Sequence, residues 1–225
     1  MANLKAAVLI SGRGSNLQAL IDACADPGYP AEIALVVSNK PGVEGLERAR
    51  KAGIPSQVIE HGGFDDREDF DAAITAALEA AGAELVCLAG FMRVLGETFV
   101  ERWRDRIINI HPSLLPAFKG LNTHERAIDA GVRITGCTVH FARSSMDDGP
   151  IIVQAAVPVL PDDDAESLAK RILVAEHLCY PMALRLIADG RARVVSEKVS
   201  FDGAAPADGL LVNPRPDTGG QSRWR

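Results

Sequence analysis

Two residues near the middle of the chain have the types and spacing for acid–base chemistry. Asn109 and His111 stand at i and i+2 in IINIHPSLLP. In extended backbone both side chains leave the strand on the same side, and Pro112 biases His111 away from the helical region. An amide so placed can hold an oxyanion or carbonyl oxygen, and an imidazole can transfer a proton. Further along, ARSSMDDGP sets Asp147 and Asp148 in a turn. A carboxylate brought against His111 would orient the imidazole and raise its pKa. Adjacent carboxylates do not readily share one face, so at most one of the two is expected to aim at the site. Each feature alone has a plainer reading: a polar strand end with a satisfied histidine, and two turn aspartates in a hairpin.

A second constellation lies near the N-terminus. The apolar run KAAVLI is followed by SGRGSN. Gly12 and Gly14 allow a tight turn and close approach of backbone to a ligand. Ser11, Ser15 and Asn16 supply hydroxyl and amide groups, and a helix over about 16–25 points its free N–H groups at the turn. Such a loop suits a phosphate. It is not a G-x-x-x-x-G-K-[ST] loop, and Leu17 stands where a dinucleotide fingerprint needs its third glycine. A phosphomonoester therefore fits better than NAD or ATP. Arg67 opens a helix, where a cation opposes the helix dipole; a task such as binding a carboxylate is one reading, plain solvation the other. FMRVL (91–95) follows an apolar run directly, and large apolar side chains at a strand's carboxyl end can wall a pocket for a flat ring.

The elements that must position these residues alternate. Strands are expected over 5–10, 31–38, 56–60, 84–90, ending at 107–108, and over 133–141 and 151–159. Helices are expected over 16–25, 43–52 and 67–80. A long helix is N-capped by Asp164 and stopped by Gly190. Residues 99–106 read as a polar connection anchored by Trp103. RVVSEKVSF is expected to pair with LLV (210–212), and NPRPDTGGQSRWR to form a disordered tail. The 225 residues, 47% hydrophobic, suffice for one sizeable core. A net charge of -6 does not favour nucleic acid as a partner. The four cysteines form no C-x-x-C and the five histidines show no metal-ligand spacing, so reduced, cytoplasmic usage without a metal is expected. No apolar run reaches membrane-spanning length, and the N-terminus enters a strand at once with no signal peptide.

Several stretches, in this order and spacing, resemble the phosphoribosylglycinamide formyltransferases, folate-dependent enzymes of purine synthesis. They are VLISGRGSNLQALI, VVSNK, GLERARKAGI, FDDREDF, LAGFMRVL, INIHPSLLP, THERAI, GCTVHF, DGPII and EHLCYP. The resemblance implies a single Rossmann-like α/β domain over 1–200, with a mostly parallel central sheet flanked by helices, and a C-terminal extension over 201–225. It implies transfer of a formyl group from 10-formyltetrahydrofolate to the amine of glycinamide ribonucleotide; that chemistry needs no metal, and a monomer and a homodimer are both open. By match to the family's motifs, Gly14, Ser15, Asn16 and Glu176 lie at the ribonucleotide. Arg67, Met92, Arg93, Val94 and Leu95 lie at the folate, and Asn109, His111 and Asp147 are the catalytic three. Asp147 is preferred over Asp148 because the family places its aspartate after H-F and five residues. Asp148 stands where members commonly carry glycine, and Asn122 where some carry histidine.

Three other readings are weighed against this one. A methionyl-tRNA formyltransferase should add a C-terminal domain and a basic surface. A 10-formyltetrahydrofolate hydrolase should add an N-terminal regulatory domain. A non-catalytic sugar-phosphate-binding module would need the glycine loop but not Asn109, His111 and Asp147 together.

Overall fold

The computed structural model describes residues 3–203 and Asn213. Nine strands and six α-helices follow in chain order: β1 (Leu4–Ile10), α1 (Ser15–Cys24), β2 (Ala31–Ser38), α2 (Glu44–Lys51), β3 (Ser56–Val58), α3 (Arg67–Ala80), β4 (Leu85–Leu88), α4 (Glu97–Arg102), β5 (Ile107–His111), α5 (Thr123–Asp129), β6 (Ile134–Phe141), β7 (Ile151–Pro158), α6 (Ala165–Ala188), β8 (Ala192–Val195) and β9 (Lys198–Phe201).

The main sheet has the order β3-β2-β1-β4-β5-β6-β7. It is parallel from β3 to β5 and antiparallel at β5–β6 and β6–β7. This is the mostly parallel α/β architecture expected from the sequence. The chain runs outward from β1 to β3 and returns to β4 on the other side of β1. The carboxyl ends of β1 and β4 therefore flank a topological switch point, where open α/β sheets form their binding crevice.

The period of two along β1 shows how the sheet is held. Ala6, Val8 and Ile10 pack on one face with Leu17 and Leu20 of α1 and Leu168, Ile172 and Tyr180 of α6. Ala7 and Leu9 pack on the other with Phe70, Ile74 and Leu78 of α3. A strand apolar on both faces must be covered on both. Helix ends are fixed locally. The Asp66 side chain accepts from the Asp69 N–H at 2.8 Å to start α3, and Asp164 and Ser167 form a reciprocal capping box at the start of α6.

One expectation needs correction, and two others fall partly outside the described residues. Residues 99–106 are not a plain polar connection, because Glu97–Arg102 form α4. Its Phe99 and Val100, with Trp103, join the core on the α3 face, and that burial outweighs the charged composition. Lys198–Phe201 pairs with Ala192–Val195 as a two-stranded sheet; residues 210–212, the expected partner, lie outside the described residues. The proposed tail begins with a docked residue: the Asn213 amide donates to the carbonyls of Arg133 and Val159 at 2.5 and 3.1 Å.

Candidate active site

β5 brings Asn109 and His111 out on one side, as the i, i+2 spacing requires. β6 runs antiparallel beside it, with Asn109 opposite His140 and His111 opposite Thr138. After His111 the loop is knitted onto the sheet. The Thr138 hydroxyl donates to the Ser113 carbonyl at 2.7 Å and accepts from the Leu115 N–H at 3.0 Å. Gln154 of β7 donates to the Leu115 carbonyl at 3.0 Å. The end of β5 is thus braced by both antiparallel strands, β6 and β7.

His111 is buried, and each of its ring nitrogens faces an acceptor. Nε2–H donates to the Phe118 carbonyl at 3.0 Å, and Nδ1 lies 3.3 Å from Asp147 Oδ2. The same Asp147 oxygen accepts from the Gly120 N–H at 2.8 Å. Asp147 sits at φ +50°, a backbone conformation aspartate tolerates better than most residues. Asp148 points away and pairs with Lys119 at 2.7 Å. Of the two carboxylates, Asp147 faces the histidine.

Sequence reasoning missed His140 as a member of this cluster. Its Nδ1–H donates to the Phe141 carbonyl at 3.0 Å, leaving Nε2 to accept from the Asn109 amide at 3.2 Å. Burial pushes the His140 imidazole below its ordinary value, so the neutral ring is the form that accepts. One Asn109 N–H is therefore committed, the amide plane is fixed, and the second N–H remains for an oxygen on the substrate side. The clue lay in register: VHF had to be paired with INIH before the two residues could be seen to face each other.

The glycine loop builds the second part of the site. Gly14 adopts φ +68°, and a Cβ there would stand 2.7 Å from the Gly45 Cα. Glycine is thus required by conformation and by space. Among the described residues no side chain caps the N-terminus of α1, so its first N–H groups face the loop. Asn16 is buried, and its amide donates to Glu176 Oε2 at 2.7 Å across 160 residues of sequence. Glu176 is buried too, not the solvated helix residue that its place in α6 suggested by default. Burial raises its pKa and the Asn16 hydrogen bond opposes that rise. A cavity of about 370 Å³ opens beside this pair, lined by Ser15, Gln18, Ala19, Asp22, Arg48 and His177.

The third part lies after β4. Met92 and Val94 are 63% and 60% exposed, high values for large apolar side chains. Phe91 and Leu95 instead pack against the core on the α3 face. The Met92 N–H is bound by the Ser11 hydroxyl at 2.7 Å, and the Gly96 N–H by Asp71 of α3 at 2.6 Å. Arg67, on the same helix, is exposed and makes no ion pair among the described residues. Among the described residues no three His, Cys, Asp or Glu side chains are placed to hold a metal ion, and no helix is long and apolar enough to cross a membrane.

The chain is similar to proteins of one known family. The formyl transferase family matches residues 4–184. The chain belongs to that family. The phosphoribosylglycinamide formyltransferase of Haemophilus influenzae is 43% identical over 201 residues, which cover 89% of this chain and 95% of that protein. The trifunctional purine biosynthetic protein adenosine-3 of Drosophila melanogaster is 57% identical over 198 residues, or 87% of this chain. The chain spans only 15% of that relative's length. Among solved structures of the family, glycinamide ribonucleotide transformylase 1 from Symbiobacterium toebii superposes with a TM-score of 0.86 at 46% identity, covering 88% of this chain and 94% of that one.

Proposed function

We propose that the chain transfers the formyl group of 10-formyltetrahydrofolate to the amine of glycinamide ribonucleotide, giving formylglycinamide ribonucleotide and tetrahydrofolate in purine synthesis. One observation carries the reading. Asn109, His111 and Asp147 converge at the end of β5 with an amide N–H uncommitted and an imidazole set between two acceptors. The names of relatives matched over nearly their full length support the choice of acceptor and of formyl transfer.

Formyl transfer needs an amine to add to a carbonyl carbon, which places negative charge on the formyl oxygen. Asn109 donates to that oxygen. His111 stabilises the same charge and supplies a proton. Asp147 orients His111 and, directly or through water, takes a proton from the attacking amine and passes one to the departing folate nitrogen. Gly14, Ser15 and the N-terminus of α1 hold the ribonucleotide phosphate, with Asn16 and Glu176 at its ribose. Met92, Arg93, Val94 and Leu95 wall the pteridine pocket, and Arg67 meets a folate carboxylate. Two exposed apolar side chains suit a flat ring, and a guanidinium with no ion pair among the described residues suits an anion. In this reading residues 1–200 form the catalytic domain and 201–225 an extension. The enzyme works in the cytoplasm as a monomer or homodimer, without metal, nucleic acid or membrane.

The test is spectrophotometric release of tetrahydrofolate from 10-formyltetrahydrofolate with and without glycinamide ribonucleotide. Release that requires the ribonucleotide is expected. Release without it would make the chain a hydrolase, and no release in either case would overturn the assignment.

A further inference from the structure

The segment Phe91–Gly96 carries exposed apolar side chains, yet it has neither helix nor strand to hold it. Its backbone is pinned at two points by side chains distant in sequence. At one end the buried Ser11 accepts from the Met92 N–H at 2.7 Å while its own hydroxyl donates to the buried Asn39 at 2.6 Å. At the other end Asp71 accepts from the Gly96 N–H at 2.6 Å.

Asp71 is 5% exposed, and nothing in its helix requires a carboxylate there. Its Oδ1 is buried with no partner among the described residues. Burial raises its pKa, while the Gly96 N–H and the charge of Arg67, one turn earlier on α3, pull it down. A Cβ built on Gly96 would stand 2.9 Å from Asp71 Oδ2 and 3.9 Å from Arg67 Nε. The carboxylate and the guanidinium therefore both flank the end of the loop, and glycine at 96 leaves room for them. A buried carboxylate is retained at a cost, so its fixed partner indicates what it is for.

We propose that Asp71 is a positioning residue for the folate donor: by clamping Gly96 beside Arg67 it holds the Met92–Leu95 wall in a binding-competent form. It acts on donor affinity and not on the chemical step, because it lies on α3 while the acid–base groups lie on β5 and after β6. The proposal rests on the donor assignment above.

The experiment measures tetrahydrofolate affinity by calorimetry, alongside kcat, the KM for glycinamide ribonucleotide and the thermal midpoint. Losing a hydrogen bond to a charged, buried acceptor weakens Asp71→Ala for tetrahydrofolate about tenfold or more. The ribonucleotide KM, and kcat at saturating donor, stay within about twofold. Asp71→Asn, which still offers an acceptor to Gly96, recovers most of the affinity. Gly96→Ala disturbs the same contact from the other side; its backbone, at φ -70°, accepts alanine, so this variant serves if Asp71→Ala does not fold. Unchanged tetrahydrofolate affinity in the alanine variants overturns the proposal. So does a parallel loss of both substrates and kcat, which marks Asp71 as merely structural. A wild-type protein that binds no tetrahydrofolate overturns the donor assignment itself, and this proposal with it.

Discussion

The two sides of the site satisfy their polar groups differently. At the end of β5, Asn109, His111, His140 and Asp147 are partnered by one another and by nearby backbone. Around the glycine loop, Asn16 Oδ1, Asn39 Nδ2 and His177 Nε2 are buried without a partner among the described residues. A buried unpaired polar atom costs about 1–3 kcal/mol. Of these residues His177 lines the cavity, and such a cost is tolerable where a polar ligand can pair with the group. On the proposed assignment, the catalytic side is preorganised by the protein, whereas the ribonucleotide side is completed by its ligand. Changes on the first side should therefore appear in kcat, and on the second in KM.

The largest effects belong to the catalytic side. His111→Ala should lower kcat about 10²–10⁴-fold and Asn109→Ala about 10²–10³-fold, with ribonucleotide KM changed only a few-fold. Steady-state kinetics with a circular-dichroism check of folding decides it; a kcat near wild type in either would break the comparison. His140 sharpens it. His140→Phe removes the acceptor that fixes the Asn109 amide, so kcat should fall by about tenfold, less than for deleting the amide because a misaligned donor still contributes part of its stabilisation. A loss as large as that of Asn109→Ala would make His140 a proton-transfer group instead.

Glu176→Gln tests the other side. Hydrogen bonds to a charged acceptor are about twice as strong as neutral ones, so the ribonucleotide KM should rise several-fold while kcat holds. Its effect on stability should have the opposite sign. The folded pKa of Glu176 is raised, so the fold favours the neutral acid, and charging it costs stability as pH rises through that pKa. Near pH 7 the glutamine variant should melt at or above wild type. The gap should close as pH falls toward the ordinary glutamate value of about 4.3. A variant less stable at neutral pH would show that the charge helps to hold α6 against α1.

Asp148→Gly should do least. The Lys119–Asp148 pair is substantially exposed, and such pairs contribute about 0–1 kcal/mol. A change in kcat within about twofold is expected, since Asp147 is held by Gly120 and His111 and not by this pair. A tenfold change would give Asp148 a role the geometry does not.

The sequence exposed what depends on local periodicity. Asn109 and His111 were legible because a strand has period two and proline restrains the residue before it. The helix over 67–80 was legible from its pattern, whereas Asp147 was told from Asp148 only by the spacing of the family it resembles. What depended on tertiary contact was hidden. The burial of Glu176 requires α6 to lie against α1, the role of His140 requires the β5–β6 register, and Asp71 requires α3 to sit beside the loop after β4. Helix α4 was obscured because charged residues outnumber the few aromatic and aliphatic side chains that fix it.

Ribonucleotide-dependent tetrahydrofolate release, measured for wild type, Asn109→Ala and Glu176→Gln side by side, tests the central claim most directly. The account predicts that release requires the ribonucleotide, that Asn109→Ala loses turnover at nearly constant KM, and that Glu176→Gln keeps turnover at a raised KM. Wild-type release without the ribonucleotide, or equal losses of kcat and KM in both variants, would contradict it.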